Sequence, residues 1–502
     1  MGQVNFAGRL EEAMSVHNLK QVDLIRLASE RGTKLGKSQI SQYLSGKTVP
    51  RAETMQLLAD LLQVSKAWLV GMEPVIDGTL ELGEKPKKGG TTEEMSTMRK
   101  FNKSSKLDNV LYDVRGPVVD EAARMEDDGT QVLKLNIGNP ATFGFRTPDE
   151  VVHDMARQLS ECEGYSSSRG LFSARKAIMQ YSQIKGLPNV SMDDIYTGNG
   201  VSELINLSMS ALLDDGDEIL IPAPDYPLWT ACATLAGGTV VHYLCDEQAD
   251  WYPDIEDIKK KVNDRTKAIV VINPNNPTGA LYPREVLEQI VEVAREHQLI
   301  IFSDEIYDRL VMEGEGDHIS IASLAPDLFC VTYSGLSKSH MIAGYRIGWM
   351  VLSGNKRVAK DYILGLNMLS NMRLCSNVPA QSIVQTALWG HQSVKDYVRP
   401  GGRVYEQRDF VYDALKDIPG VSVVKPRAAF YIFPKLDRKK FNITDDQQFA
   451  LDLLQEKKVL IVQGTGFNWP EPDHFRIVYL PRIETLKEAL GKLADFLSTY
   501  RQ

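Results

Sequence analysis

Four short stretches of this chain carry reactive groups at spacings that suit amine–carbonyl chemistry. Ser334-Gly-Leu-Ser-Lys338 offers a primary amine among small residues, and Ala343-Gly-Tyr-Arg346-Ile-Gly348 brings a guanidinium eight positions later. Ser303-Asp304-Glu305-Ile306-Tyr307 supplies a carboxylate and a phenol, and Asn273-Pro-Asn-Asn276-Pro-Thr-Gly279 an asparagine-rich turn. An amine can take up an aldehyde carbon, and a carboxylate can keep a heteroaromatic nitrogen protonated. A phenol and an amide can donate to a phenolate, and a guanidinium beside backbone N–H groups can hold a phosphate. Singly, each residue has an ordinary explanation: a lysine is usually a solvated charge, and an aspartate after a strand is often a helix cap. The conjunction argues for a site, because five residue types would otherwise have to converge by accident.

Convergence follows from the elements that carry them. Glu218–Pro222, Ala268–Asn273, Leu299–Asp304 and Phe329–Ser334 are near-continuous apolar runs separated by helical patterns. Such runs read as strands buried on both faces, hence a mainly parallel sheet in an α/β fold. Ligands in these folds sit at the carboxyl ends of strands, so Asn273, Asp304 and Ser334 point to one crevice.

At 502 residues the chain is long enough for two or three domains. Composition is that of an ordinary globular protein, 43% apolar and 25% charged, with no stretch apolar enough to span a bilayer. The first residues lack an apolar signal core. Five scattered cysteines (Cys162, Cys232, Cys245, Cys330, Cys375) form no metal-ligand spacing and read as reduced thiols in a cytoplasm. No metal site is expected. The net charge of −9 argues against a chain that coats nucleic acid by bulk electrostatics, yet residues 1–72 hold nine Lys/Arg against six Asp/Glu. Residues 73–103, polar with Gly89-Gly90 and two prolines, read as a linker between that end and residues 104–502.

The requirements met at the strand ends are those of pyridoxal 5′-phosphate (PLP). Gly335-Leu-Ser-Lys338, Gly344-Tyr-Arg346-Ile-Gly348, the Asn-Pro-x-Asn-Pro-Thr-Gly turn and Asp-Glu-x-Tyr together resemble the class I/II aminotransferases of PLP fold type I, over roughly residues 100–502. Met341 departs from the pattern, standing where family members more often have a smaller residue. The resemblance implies a large domain at about 145–395, and a smaller α+β domain from 104–144 and 396–502. It also implies roles. Lys338 carries the cofactor and shuttles the proton, Asp304 pairs with the ring nitrogen, and Asn276 and Tyr307 hold the phenolic oxygen. Gly200, Val201 and Ser202 present N–H groups to the phosphate at a helix start, where an anion is favoured, and Arg346 adds charge. Tyr226 covers the ring face.

For the substrate, Arg476 in Asp473-His-Phe-Arg476 resembles the family's carboxylate-binding arginine, and Gly138 its backbone contact, with Asn276 alongside. A guanidinium matches a carboxylate best. Tyr165 resembles the tyrosine that reaches the phosphate of a neighbouring subunit, which implies a homodimer. The segment from Ser104 to Pro117, with Tyr112 and Arg115, and the stretch Val462–Pro470 are similar to bacterial alanine-synthesising (glutamate–pyruvate) transaminases. The implied substrates are amino acids and 2-oxo acids: alanine and 2-oxoglutarate exchanging with pyruvate and glutamate.

Residues 1–72 alternate short amphipathic stretches with polar breaks: Phe6–Val16, Val22–Ala28, Ile40–Leu44, Met55–Leu62 and Lys66–Val70. Leu19 to Leu24, Gly36 to Gly46, Pro50 and Val64-Ser-x-x-Trp68 resemble the Cro/repressor-type (xenobiotic-response-element family) helix-turn-helix. The resemblance implies DNA binding, with Lys37, Ser38, Gln39 and Gln42 toward base edges and Gln21, Lys47 and Arg51 toward phosphates. Leu24, Ile40, Leu44 and Leu58 are expected in its core. A small bundle of this kind can also serve protein contact alone. Two readings of the whole follow: a working aminotransferase with a DNA-binding domain, or a transcription regulator whose aminotransferase-like body senses PLP or an amino acid. The intact set Asp304, Lys338 and Arg476 favours the first.

Overall fold

The computed structural model describes residues 6–16, 19–30, 33, 35–50, 52–62, 64, 69, 101–108, 110, 112, 116–312 and 318–502. The chain forms two compact units, Met1–Phe101 and Asn102–Gln502. Most of the expected linker, the Lys66–Val70 stretch apart from Leu69, and Arg51, Trp68 and Arg115 lie outside the described residues.

In the first unit the amphipathic stretches form helices α1 (Phe6–Val16), α2 (Gln21–Glu30), α3 (Lys37–Leu44) and α4 (Ala52–Leu62). Leu10, Leu24, Ile40, Leu58 and Leu62 are fully buried at their centre, and Leu44 packs partly buried at the edge. Burial of each such side chain contributes roughly 1.5–3 kcal/mol, which a bundle this small needs. The Phe6 ring closes edge-on against Tyr43, with centroids 6.3 Å apart, and Asp23 caps the start of α2 by accepting from the Lys20 amide at 2.9 Å.

The second unit is built on an eight-stranded sheet. Across it the strands are Ile195–Gly198, Gly348–Gly354, Phe329–Gly335, Ile300–Asp304, Thr266–Ile272, Glu218–Ala223, Thr239–Asp246 and Tyr252–Pro253. The five consecutive strands from Phe329–Gly335 to Thr239–Asp246 pair in parallel. Gly348–Gly354 runs antiparallel to both its neighbours, and Tyr252–Pro253 antiparallel to its one. The period of two sorts side chains between the faces. Ile269, Val271 and Ile301 pack with Leu287 and Ile290 of helix Arg284–Glu296. Ala268, Val270, Ile272 and Phe302 pack with Leu204, Ile205 and Met209 of helix Val201–Leu212. Because both faces are covered, the strands read as continuous apolar runs.

A further core joins early and late parts of this unit. Val118, Ala122, Leu133 and Leu135 pack with Leu415, Phe449, Leu453, Ile477 and Leu490. Leu133–Lys134 pairs in parallel with Val459–Leu460, while Tyr431–Ile432 and Val462–Gln463 flank Phe475–Val478 on opposite edges, both antiparallel. All five cysteines are free. Among the described residues no helix is long and apolar enough to cross a membrane.

Candidate active site

Asp304 ends its strand almost fully buried, at 4% exposure. Its Oδ2 accepts from the Trp229 indole N–H at 3.1 Å and its Oδ1 from the Ile306 amide at 3.3 Å. No basic side chain among the described residues forms an ion pair with it. Burial pushes its carboxyl up to about 6, with the Trp229 and Ile306 hydrogen bonds opposing only in part. The turn that carries it is braced from behind. The Lys185 ammonium lies 2.6 Å from Glu305 and 2.7 Å from Asp308, and the hydroxyls of Ser303 and Ser320 donate to Glu305. Burial alone would raise the Asp308 carboxyl, but the charges of Lys185, His318 and Arg309 hold it down to about 2. This buried ion cluster positions the Asp304–Tyr307 turn.

Lys338 stands in the one-turn helix Leu336–Ser339 that leaves the next strand. Its half-buried Nζ donates to the Gly138 carbonyl at 2.6 Å, across 200 residues of sequence. Gly138 abuts the Tyr431 phenol so closely that an added Cβ would fall 2.2 Å from its oxygen, so only glycine fits there. The Tyr307 and Tyr431 hydroxyls share a hydrogen bond of 2.7 Å. Burial, with Tyr431 second, pushes the Tyr307 phenol well above its usual range, so it stays a donor.

Arg476 comes from strand Phe475–Val478 and is 5% exposed. One arm donates to Asn276 Oδ1 at 2.9 Å and the other to the Asn136 carbonyl. Its guanidinium carbon sits 4.5 Å from the ring centroids of both Tyr431 and Phe467. No carboxylate among the described residues pairs with it, and its Nε–H has no acceptor. Burial lowers its pKa from the usual arginine value. A desolvated cation held by neutral groups invites an anion. Because Asn276 accepts from Arg476 through Oδ1, its Nδ2 is left to donate.

The expected anion cradle lies where strand Ile195–Gly198 turns into helix Val201–Leu212. Gly200 caps that helix at φ 82° and, having no side chain, offers no cap to its first N–H groups, those of Val201 and Ser202 among them. A Cβ on Gly200 would meet the Arg346 guanidinium at 2.2 Å. Arg346 is exposed, itself at φ 56°, and donates to the Ala343 carbonyl at 2.8 Å. Gly348 is equally constrained, since a Cβ would strike the Val201 nitrogen at 2.6 Å. Beside the cradle, Arg373 ties Glu203 to the carbonyls of Ser168 and Thr197.

Tyr112 and Tyr226 meet hydroxyl to hydroxyl at 3.0 Å with rings edge-on. Tyr165 is 83% exposed and takes no part in this cluster within one chain. The Asn273 side chain, expected at the crevice, instead accepts from the Tyr282 amide at 2.9 Å and braces the following turn. Met341 is buried at φ 59°. Two residues that sequence reasoning did not single out now belong to the site: Trp229, through Asp304, and Tyr431, through Tyr307, Arg476 and Gly138. A surface groove of about 840 Å³ between helix Pro117–Asp127 and Pro481–Thr485 shares only Asn136 with the cluster. Converging polar groups, not cavity size, therefore locate the chemistry.

In the first unit Lys37, Ser38, Gln39, Gln42 and Lys47 are exposed, while Ile40 and Tyr43 point inward. Gln21 is half-buried at the start of α2. Gln39 donates to the Tyr43 hydroxyl at 2.8 Å and accepts from the Gly36 amide at 3.5 Å, so its amide braces α3.

A mainly parallel sheet with a lysine and a buried aspartate at its carboxyl edge, joined by a buried arginine from the antiparallel strand Phe475–Val478, defines a fold type I transaminase site. Comparison with known proteins agrees. The family described as aminotransferase class I and II matches residues 130–493, and a helix-turn-helix family matches residues 27–69. The chain is 60% identical over 405 residues to the glutamate-pyruvate aminotransferase AlaA of Escherichia coli (strain K12), covering 81% of this chain and all of that protein. It is 55% identical to an alanine aminotransferase of Mycobacterium tuberculosis (strain H37Rv), over 80% of this chain and 94% of that protein. A crystal structure of an aminotransferase from Escherichia coli superposes with a TM-score of 0.79 at 59% identity, covering 80% of this chain and all of that one. This chain belongs to the class I and II aminotransferases.

Proposed function

We propose that this protein is a PLP-dependent glutamate–pyruvate (alanine) aminotransferase carrying a DNA-binding domain. The observation that carries the proposal is the pairing of two buried, unneutralised charges in one crevice, Asp304 and Arg476, with Lys338 beside them. The residues present fit the cofactor. A buried carboxylate without a cation suits a protonated ring nitrogen, and the uncapped helix start with Arg346 suits a phosphate. When bound, PLP supplies an aldehyde that condenses with amines and a ring that holds the electron pair left at carbon.

The rest is the work of this chain. Lys338 would hold the cofactor through Nζ. Asp304 would keep the proton on the ring nitrogen, and Asn276 Nδ2 and the Tyr307 hydroxyl would donate to the phenolic oxygen. Gly200, Val201, Ser202 and Arg346 would bind the phosphate, and Tyr226 would cover the ring. Arg476 would grip the substrate carboxylate beside Gly138 and Asn276, with Tyr112 at the mouth. Lys338 Nζ, once free, would take the proton from the substrate Cα and pass it to the cofactor carbon that had held the lysine. The names of the similar proteins support alanine, glutamate and their 2-oxo acids as substrates.

A homodimer completes this reading. Leu364, Met368 and Met372 form an exposed apolar stripe on helix Lys360–Met372, at 55%, 58% and 78% exposure. Ser168 and Arg169 tie the Tyr165 segment to Asn371 and Asn367 of that helix. Tyr165 would thereby reach a second copy's phosphate site. The exposed face of α3, with Lys37, Ser38 and Gln42, would read DNA. The cytoplasm, with its reduced thiols, is the proposed compartment.

The test is half-transamination. Addition of alanine or glutamate is expected to shift the absorbance of the purified protein, and pyruvate to drive glutamate consumption. Turnover confined to aspartate or aromatic amino acids would overturn the alanine assignment. No shift with any amino acid would leave the sensing-regulator reading in its place.

A further inference from the structure

We infer that Tyr431 is a positioning residue of this site: its hydroxyl donates to Tyr307 and aims the Tyr307 hydroxyl at the cofactor, while its ring holds Arg476 for the substrate. The inference rests on the cofactor reading above and extends it from the groups that touch ligand to the one that connects them.

Three contacts meet on this side chain. Its hydroxyl is 2.7 Å from that of Tyr307, its ring lies 4.5 Å under the Arg476 guanidinium, and its phenol oxygen fills the space where Gly138 lacks a Cβ. Gly138 in turn accepts from Lys338. Tyr431 is 2% exposed, in a two-residue strand paired to the strand of Arg476, so backbone register fixes both.

The direction of the shared hydrogen bond follows from counting donors. A phenol has one O–H. An ionised phenolic oxygen on the cofactor can only accept, so Tyr307 must give its proton there. The Tyr307 oxygen is then left as an acceptor, and Tyr431 must donate. Chained hydrogen bonds strengthen one another in a buried setting. Tyr431 thereby makes Tyr307 the better donor and lowers the basicity of the oxygen it faces. The ring serves the other ligand: a desolvated guanidinium over an aromatic face is held without a counter-charge, which leaves its charge for the substrate.

Tyr431→Phe separates the two roles, because it keeps the ring and removes the hydroxyl. In holoenzyme carrying Y431F, the pH midpoint of the cofactor's visible band is expected to rise by about half a unit, and cofactor retention on dialysis to weaken about 3- to 10-fold. The apparent affinity for alanine should stay within about twofold of the parent, since the ring still supports Arg476. Tyr431→Leu should weaken alanine affinity as well, by about 5- to 30-fold, the loss of one desolvated cation–π contact. Thermal unfolding of each variant reports folding separately. A Y431F band that titrates with the parent's midpoint, whatever its melting temperature, overturns the inference. Absence of any visible band in the parent would instead overturn the cofactor reading itself.

Discussion

Replacing Arg476 by lysine removes a planar fork without removing the charge. The guanidinium is held from both sides, by Asn276 and Asn136 at its arms and by the Tyr431 and Phe467 rings at its faces. That cage fixes the plane in which a carboxylate can be gripped by two parallel N–H groups. A lysine ammonium offers one well-aimed donor there and leaves the Asn136 carbonyl and Asn276 amide without their partner. Losing one charged hydrogen bond of a bidentate pair costs about 1.5–3 kcal/mol, which corresponds to about a 10- to 150-fold loss in affinity. The assay is single-turnover absorbance with alanine and with glutamate, because it separates half-saturating concentration from limiting rate. R476K should raise the half-saturating concentration of both by that factor, since both present the same α-carboxylate, while the cofactor band itself is retained. Saturation of R476K at the parent's alanine and glutamate concentrations would refute the assignment of this arginine.

The remaining predictions concern the residues around it. Asp304 has a raised carboxyl pKa, so in cofactor-free protein its burial opposes folding above that pKa and ceases to do so once it is protonated. With an ordinary value of 3.8 and a folded value of about 6, D304N should make the cofactor-free protein more stable at pH 8 by about 3 kcal/mol, an advantage lost on descending from pH 6 to pH 4. Urea unfolding at both pH values checks this, and an unchanged difference would count against a buried, unpaired carboxylate. Gly200→Ala drives a Cβ into Arg346 at a positive φ, so cofactor retention by dialysis should fall about tenfold, equivalent to roughly 1.4 kcal/mol. Lys185→Met leaves Glu305 and Asp308 buried without their cation and should cost about 3–5 kcal/mol in chemical denaturation; a loss below about 1 kcal/mol would mean that the turn does not depend on it. In gel shifts, K47A should weaken every duplex alike and flatten the salt dependence by about one unit, whereas Q42A should relax preference at one position. Equal loss on all duplexes with Q42A would remove that residue from base reading.

The legible part of the site shares one property. Asp304, Asn276 and Lys338 follow directly from strands whose apolar runs are visible in one dimension, and strand ends in a parallel sheet face one crevice whatever the rest of the fold does. The core of the first unit was legible for a similar reason, because a helical period marks Leu24, Ile40 and Leu58 without reference to distant residues. Asn273 shows the limit of the rule. The strand-end position is right, but the side chain bonds back to Tyr282 nine residues on, a choice made by the geometry of the turn.

Sequence by itself determined the candidate reacting groups of this protein: an amine, an acid, donors and a guanidinium, each tied to a local element. Tertiary structure alone decided how they are connected. Trp229 meets Asp304 across 75 residues and Tyr431 meets Tyr307 across 124. Tyr431 stands in a strand of two residues, too short for any period to show. What makes these side chains part of the site is desolvation: away from water a buried carboxylate, guanidinium or phenol needs hydrogen-bond partners from the protein, and only packing settles which residues those are.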